Sequence, residues 1–350
     1  MSTRRQNQYL LVLLILIVAG AVVGAIVEAN FGSEIGSGVV QVTMGSFQPT
    51  TTTVRERMWK LVERKTEQIP SKGQPPFFRA STLRVDALGY VYVLDWGDFL
   101  IKKYSPRGEF VQSFGKGEGR GPGRFLNPMD YTVAEDGSVW VCDPRALTLT
   151  VFAPDGSLRR TIPCPMVPMR AVVLDSGLFV LSVYQGEDLF ELHDSTGQTI
   201  RSFGRFISEQ AKFKIAIDGW IVKTNRDRFV YNPAYAGLLS SFSTAGRSLF
   251  YTESVDKMGW PKLAIRNGGV FIDQHNITGV TFSLSCDGEN VFLFTGPTTV
   301  KEKTGVIDAY NSSDGTYRFS LRLPEEFDEA VVTRGNIYTL RDTTISVWQR

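Results

Sequence analysis

Residues 85–110 read VDALGYVYVLDWGDFLIKKYSPRGEF, and residues 133–158 read VAEDGSVWVCDPRALTLTVFAPDGSL. Offset by 48 positions, they align without a gap and agree at Val85/Val133, Gly89/Gly137, Val91/Val139, Val93/Val141, Asp95/Asp143, Pro106/Pro154 and Gly108/Gly156. Alternating apolar residues bounded by glycine form short strands joined by tight hairpins, because glycine enters positive φ without steric penalty. One unit is therefore strand, glycine turn, strand, loop, strand, glycine turn, strand.

The pattern continues in both directions. First-turn glycines are expected at Gly89, Gly137, Gly177, Gly219, Gly288 and Gly335, and second-turn glycines at Gly108, Gly156, Gly197, Gly246 and Gly315. Their separations of 19, 19, 20, 27 and 27 residues place the variation in the middle loop. Four-stranded units recurring every 40 to 50 residues or so are the mark of propeller blades. After Gly335 only 15 residues remain, enough for two strands, so the sixth unit lacks its outermost one. Residues 58–68, MWKLVERKTEQ, lie just ahead of the first unit and are expected to supply it, although RERMWKLVERK also has helical charge spacing. The expectation is an all-β, six-bladed propeller of four-stranded antiparallel blades over residues 54–350, closed between the termini.

The junction FGKGEGRGPGRFLNP, followed by DGSVWVCD and VFAPDG, resembles the NHL-repeat pattern, in which a Gly-rich G-x-G-x-G-P-G-x-F-x-x-P segment leads into the next repeat. The resemblance covers residues 85–160 and implies a six-bladed propeller without implying one activity. Such folds serve as scaffolds and as enzymes, so function rests on the site. GKGEGRGPGR itself fits neither G-x-G-x-x-G opening a helix nor a P-loop, and it reads as a connector between blades.

In antiparallel blades the two glycine hairpins share one face of the disc, and the middle loops and connectors share the other. The connector carries Lys116, Glu118, Arg120 and Arg124, and the middle loops are expected at Trp96–Phe99, Pro144–Leu147, Gln185–Asp188, Asn225–Leu238 and Pro297–Lys303. Long loops on a rigid scaffold are where binding residues collect. Trp96, Asp98, Lys116, Glu118, Arg120, Arg124 and Arg145 are the candidate binding residues, with Trp96, Arg120 and Arg145 as anchors. Asp95 and Asp143 recur at equivalent strand ends, where a carboxylate bonds the backbone of its own turn.

Composition supports this and narrows the chemistry. The net charge of +2 is accounted for by Arg4 and Arg5, which leaves no cationic excess for nucleic acid. Residues 9–27, YLLVLLILIVAGAVVGAIV, are uncharged over 19 positions, a membrane-spanning length. With Arg4 and Arg5 before it, this segment is expected to anchor the chain with its body outside the cytoplasm; the alternative is a signal peptide cleaved near Val27-Glu28-Ala29. Residues 1–29 are thus the anchor or signal, and the Gly, Ser and Thr-rich 30–53 a flexible stalk.

Cys142, Cys164 and Cys286 form no C-x-x-C; a Cys142–Cys164 disulfide within one blade is the pairing the register allows. Two histidines, His193 beside a hairpin at an exposed end and His275 in a connection, are too few for a His-based metal site. Ser254-x-x-Lys257 and Lys303-Thr304-Gly305 match serine-enzyme motifs by spacing only, in loops of a β repeat. No cofactor is expected. The reading is a membrane-anchored, extracytoplasmic scaffold that binds a protein or small ligand through its loop-rich face. The alternative is a metal-dependent hydrolase or lyase with carboxylates such as Asp130 and Asp328 at the central channel. A cell-wall sugar module using Trp96 is a third.

Overall fold

Residues 38–41, 56–205, 214–225, 227–266, 269–273, 275, 277–297 and 305–350 are described by the computed structural model. The segment 9–27 lies outside them, and no helix among the described residues is long and apolar enough to cross a membrane. Three short strands, β1 (Gly38–Gln41), β2 (Trp59–Leu61) and β3 (Lys65–Ile69), precede the blades. Blade one is β4 (Ala80–Val85), β5 (Val91–Asp95), β6 (Leu100–Tyr104) and β7 (Phe110–Phe114). Blade two is β8 (Asp130–Val133), β9 (Val139–Asp143), β10 (Thr148–Phe152) and β11 (Leu158–Pro163). Blade three is β12 (Pro168–Val173), β13 (Phe179–Val183), β14 (Phe190–His193) and β15 (Thr199–Phe203). Blade four is β16 (Gly219–Asn225), β17 (Arg228–Pro233), β18 (Leu238–Ser243) and β19 (Ser248–Glu253). A hairpin, β20 (Lys262–Arg266) and β21 (Gly269–Ile272), is inserted before blade five, which is β22 (Gly279–Cys286), β23 (Asn290–Pro297), β24 (Val306–Asn311) and β25 (Tyr317–Arg322). Blade six is β26 (Glu329–Val332), β27 (Asn336–Arg341), β28 (Thr344–Gln349) and β3.

The inner strands β4, β8, β12, β16, β22 and β26 touch in that order, and β26 returns to β4, so the ring is closed. Second strands such as VYVLD, VWVCD and FVLSV are buried along their whole length, since each is covered by a blade on both sides. Between blades one and two, Phe152 meets Phe114 and Phe125 edge-on at 6.3 and 6.0 Å. Gly115 must be glycine here: its φ is +103°, and a Cβ would lie 2.6 Å from the Phe125 ring.

The closing segment differs from the expected single strand 58–68. Only its C-terminal part closes blade six: Ile69 pairs with Ile345 and Gln68 with Ser346. Trp59–Leu61 runs parallel to Ser320–Arg322 as a fifth strand of blade five. The arm is latched there by Arg57, which donates to both carboxylate oxygens of Asp308 at 2.9 Å and to Asp256 at 2.6 Å. Residues 62–64, between β2 and β3, carry the chain from one blade to the next.

Blade four corrects two expectations. Gly219 opens the inner strand instead of a hairpin, and a Cβ there would lie 2.1 Å from the Asn232 carbonyl oxygen. WIVK is therefore the first strand, RFVYNP the second, and the middle loop is the short turn between Pro233 and Leu238 rather than 225–238. Within the stretch read as a stalk, β1 pairs antiparallel with β20, making a small third layer with β21. Leu263, Ile265 and Val270 of this insert pack on Ile215 and Ala216, in the 3-10 turn Lys214–Ile217 that precedes blade four.

Candidate functional site: the channel mouth and the loop-rich face

Each inner strand begins at its connector and ends at its first hairpin, so its first residues stand at the loop-rich end of the channel. Asp130 and Glu329 open β8 and β26, and Asp218 immediately precedes β16. Arg84 and Arg170 reach them from β4 and β12. Arg84 lies 2.7 Å from Asp130 and 3.5 Å from Glu329; Arg170 is paired with Asp218 and stands 4.0 Å from Asp130. The Arg170 guanidinium also lies over the Trp220 ring at 4.6 Å. A ladder Glu329–Arg84–Asp130–Arg170–Asp218 thus crosses five blades, one residue from each of blades six, one, two and three and the last from the entry to blade four. All but Arg84 are almost fully buried.

Three carboxylates face two guanidiniums in this ladder, so one negative charge is uncompensated. Glu329, whose guanidinium partner Arg84 stands 3.5 Å away and bonds Asp130 more closely, takes the consequence. Burial, with Asp130 and Asp328 acting in the same direction, pushes its carboxyl up to about 7 against the opposing pull of Arg84. Burial likewise raises Asp130, opposed by both arginines. Between the ordinary Glu value and about 7 the native protein therefore binds a proton that the unfolded chain has released. This contribution to stability is full below that window, falls as pH rises through it and is flat above. Glu329→Gln is expected to remove that slope: denaturant midpoints of variant and native protein should diverge in the variant's favour as pH rises from about 4.5 to 7. Parallel pH profiles would show that Glu329 is not the proton carrier.

Asp328 does not join Asp130. Its exposed carboxylate accepts from the Asp342 N–H at 3.1 Å, in the middle loop of blade six. The sequence pointed one residue short, since it is Glu329 that turns inward. Among the described residues no group of three or more His, Cys, Asp or Glu side chains is placed to hold a metal ion. The carboxylates that do approach one another are interleaved with guanidiniums, a donor set that repels a dication. A cavity beside Asp218, lined by Met169, Tyr184, Lys214 and Tyr231, has room for about one water molecule. Lys214, lowered to about 8 by burial, fills its position by donating to the carbonyls of Val183, Gln185 and Asp188 and so pins the middle loop of blade three.

Asp95 and Asp143 are structural clamps. Asp95 accepts from the N–H groups of Phe78, Arg79 and Gly97 at 2.8, 2.7 and 3.0 Å and from Lys102 at 2.7 Å. Burial pushes its pKa up, but the Lys102 ammonium and the three N–H groups hold it below the ordinary value. Asp143 accepts from Leu126, Asn127 and Ala146 in the same way. Each thus ties a middle loop to the incoming connector, not merely to its own turn. Cys142, Cys164 and Cys286 are free thiols. His193 is buried instead of exposed, stacked on Phe179 at 4.9 Å and bonded to Glu191 at 3.2 Å, whereas His275 is exposed.

The predicted binding residues divide into two groups. Trp96 is half-buried against Phe99, with ring centroids 5.7 Å apart, and Asp98 is engaged by Lys102 at 2.7 Å. Lys116, Glu118, Arg120, Arg124 and Arg145 are all exposed. Arg124 folds back to the Glu118 carbonyl at 3.0 Å. Among the described residues none of these four cations has a carboxylate partner. Four acids elsewhere on this face are paired: Glu325 with Lys65, Glu326 with Arg341, Glu187 with Arg205 and Asp256 with Arg57.

No protein-family model and no curated protein matches the sequence. Among solved structures, the chain is similar to a member of the DUF4221 family from Bacteroides vulgatus, at 11% identity and a TM-score of 0.59, over 81% of this chain and 96% of that one. A protein of Bacteroides fragilis assigned as exported is similar at 11% identity and a TM-score of 0.57, over 83% and 99%. A catalytically inactive virginiamycin B lyase from Staphylococcus aureus, with quinupristin, is similar at 11% identity and a TM-score of 0.52, over 81% and 98%. At these identities the likeness is one of fold: the chain is a six-bladed β-propeller.

Proposed function

We propose that this protein is a non-catalytic binding scaffold, held outside the cytoplasm by the apolar segment 9–27, that engages its ligand through the loop-rich face. The first two blades would be of NHL type. The observation that carries the reading is the contrast in pairing: the inward-facing charges are interleaved in a ladder of ion pairs, whereas Lys116, Arg120, Arg124 and Arg145 stand exposed without carboxylate partners among the described residues. The exported Bacteroides fragilis neighbour supports the location, through fold alone. The enzyme alternative is weaker, because Asp130 is held between two arginines and Asp328 points elsewhere. Arg120→Ala with Arg145→Ala should abolish retention of ligand from an extract of the source cell while leaving the unfolding midpoint unchanged, since exposed loop substitutions usually cost less than about 0.5 kcal/mol. Undiminished retention by that variant would remove the loop-rich face from the proposal.

A further inference from the structure

We infer that the ligand of the loop-rich face is an anionic membrane surface, on which the propeller lies face-down. This rests on the scaffold reading above and names its partner. The first ground is charge. Lys116, Arg120 and Arg124 in the connector and Arg145 in the middle loop of blade two outnumber the exposed Glu118 among them, and anionic headgroups attract such cations by about 1 kcal/mol each close to the surface.

The second is exposed apolar surface interleaved with those cations. Phe78, in the connector entering blade one, is 67% exposed, and Leu147, in the middle loop of blade two, is 42% exposed. The Phe78 Cβ lies 2.3 Å from where a Cβ on Gly97 would stand, the Lys102 ammonium lies over its ring at 4.6 Å, and a Cβ on Gly117 would lie 3.4 Å from the Asp98 carbonyl, so Phe78 and the basic connector flank the same blade-one loop. On the opposite half of the face, β21 turns Val270 down onto the 3-10 turn and Phe271, 38% exposed, away from it. Cations beside protruding apolar side chains are the composition of an interfacial membrane contact.

The third is the tether. β1 is fixed to β20, and that hairpin lies in the connector between blades four and five, which is on the loop-rich face. Ten residues, 28–37, separate it from the apolar segment, a reach of at most about 40 Å even if fully extended. The chain therefore leaves this face close to the anchor, and the basic rim across the disc supplies a second point of attachment.

The test uses the full chain with vesicles of phosphatidylcholine alone and of phosphatidylcholine with phosphatidylglycerol, read by amide hydrogen exchange. Segments 115–125 and 143–148 should exchange several-fold more slowly on the anionic vesicles, an effect reversed by about 0.5 M NaCl. Hairpin-face segments around Gly137 and Gly156 should not change. Protection should be lost in K116E/R120E/R124E/R145E, and in R120E/R145E should the fourfold variant prove unstable. Equal exchange on both vesicles, or equal protection of both faces, overturns the inference. Sedimentation with phosphatidylcholine vesicles alone reports anchoring separately. A soluble acidic protein retained through the same arginines, without lipid-dependent protection, would keep the scaffold and reject the membrane.

Discussion

Ile69→Ala should lower the stability of the propeller by about 2–5 kcal/mol, and Ile69→Asp should prevent a cooperative fold altogether. Ile69 is the last residue of the strand that completes blade six, fully buried against Leu340, Ile345 and Val347 and against Phe77 and Val93 on the first blade. Truncating it opens a cavity at the seam where the ring closes, a place with no chain connection to share the load. Leu61→Ala, eight positions earlier in the same arm, should change stability by less than about 0.5 kcal/mol, because Leu61 is 68% exposed on the strand added to blade five. Urea unfolding of the two variants decides the matter. Similar midpoints for both would mean that residues 65–69 do not carry the closure.

The repeat itself was legible because it is written in glycine and in alternation. Gly89, Gly137, Gly177 and Gly288 all have positive φ at their first hairpins, as do Gly108, Gly156, Gly197, Gly246 and Gly315 at their second. Blade four misled because the sequence between its first strand, ending at Asn225, and its second, beginning at Arg228, contains no glycine, while Gly219 answers a different need, the close approach of a neighbouring backbone. The β20–β21 hairpin escaped notice because it sits in a connector, outside the period that exposed the blades. Arg84 and Arg170 escaped for a related reason. An isolated arginine in a strand looks like any solvated residue until the ring brings six inner strands together, since the partners are 46 and 48 positions away for Arg84–Asp130 and Arg170–Asp218. Loop cations, by contrast, were readable in advance, because exposure in a propeller connector follows from the topology alone.

The ladder of charges at the channel mouth yields the other large effect. Arg170→Ala leaves Asp218 buried without its guanidinium and weakens the hold on Asp130, and breaking one side of a buried pair typically costs about 3–5 kcal/mol. Removing both partners, Arg170→Met with Asp218→Leu, should recover most of that loss, because no charge at that rung is then left in a low-dielectric site and Asp130 keeps Arg84. The pH dependence separates this from simple loss of packing on Trp220. Protonation neutralises an unpartnered buried carboxyl, so the single variant should be closest to the native protein at low pH and should fall away as pH rises through the carboxyl range. The double variant should show no such divergence. If Arg170→Ala costs the same at every pH, its contribution is the contact with the indole and not the charge. If it costs less than about 1 kcal/mol at neutral pH, water already reaches Asp218 and the channel mouth is wetter than its packing indicates.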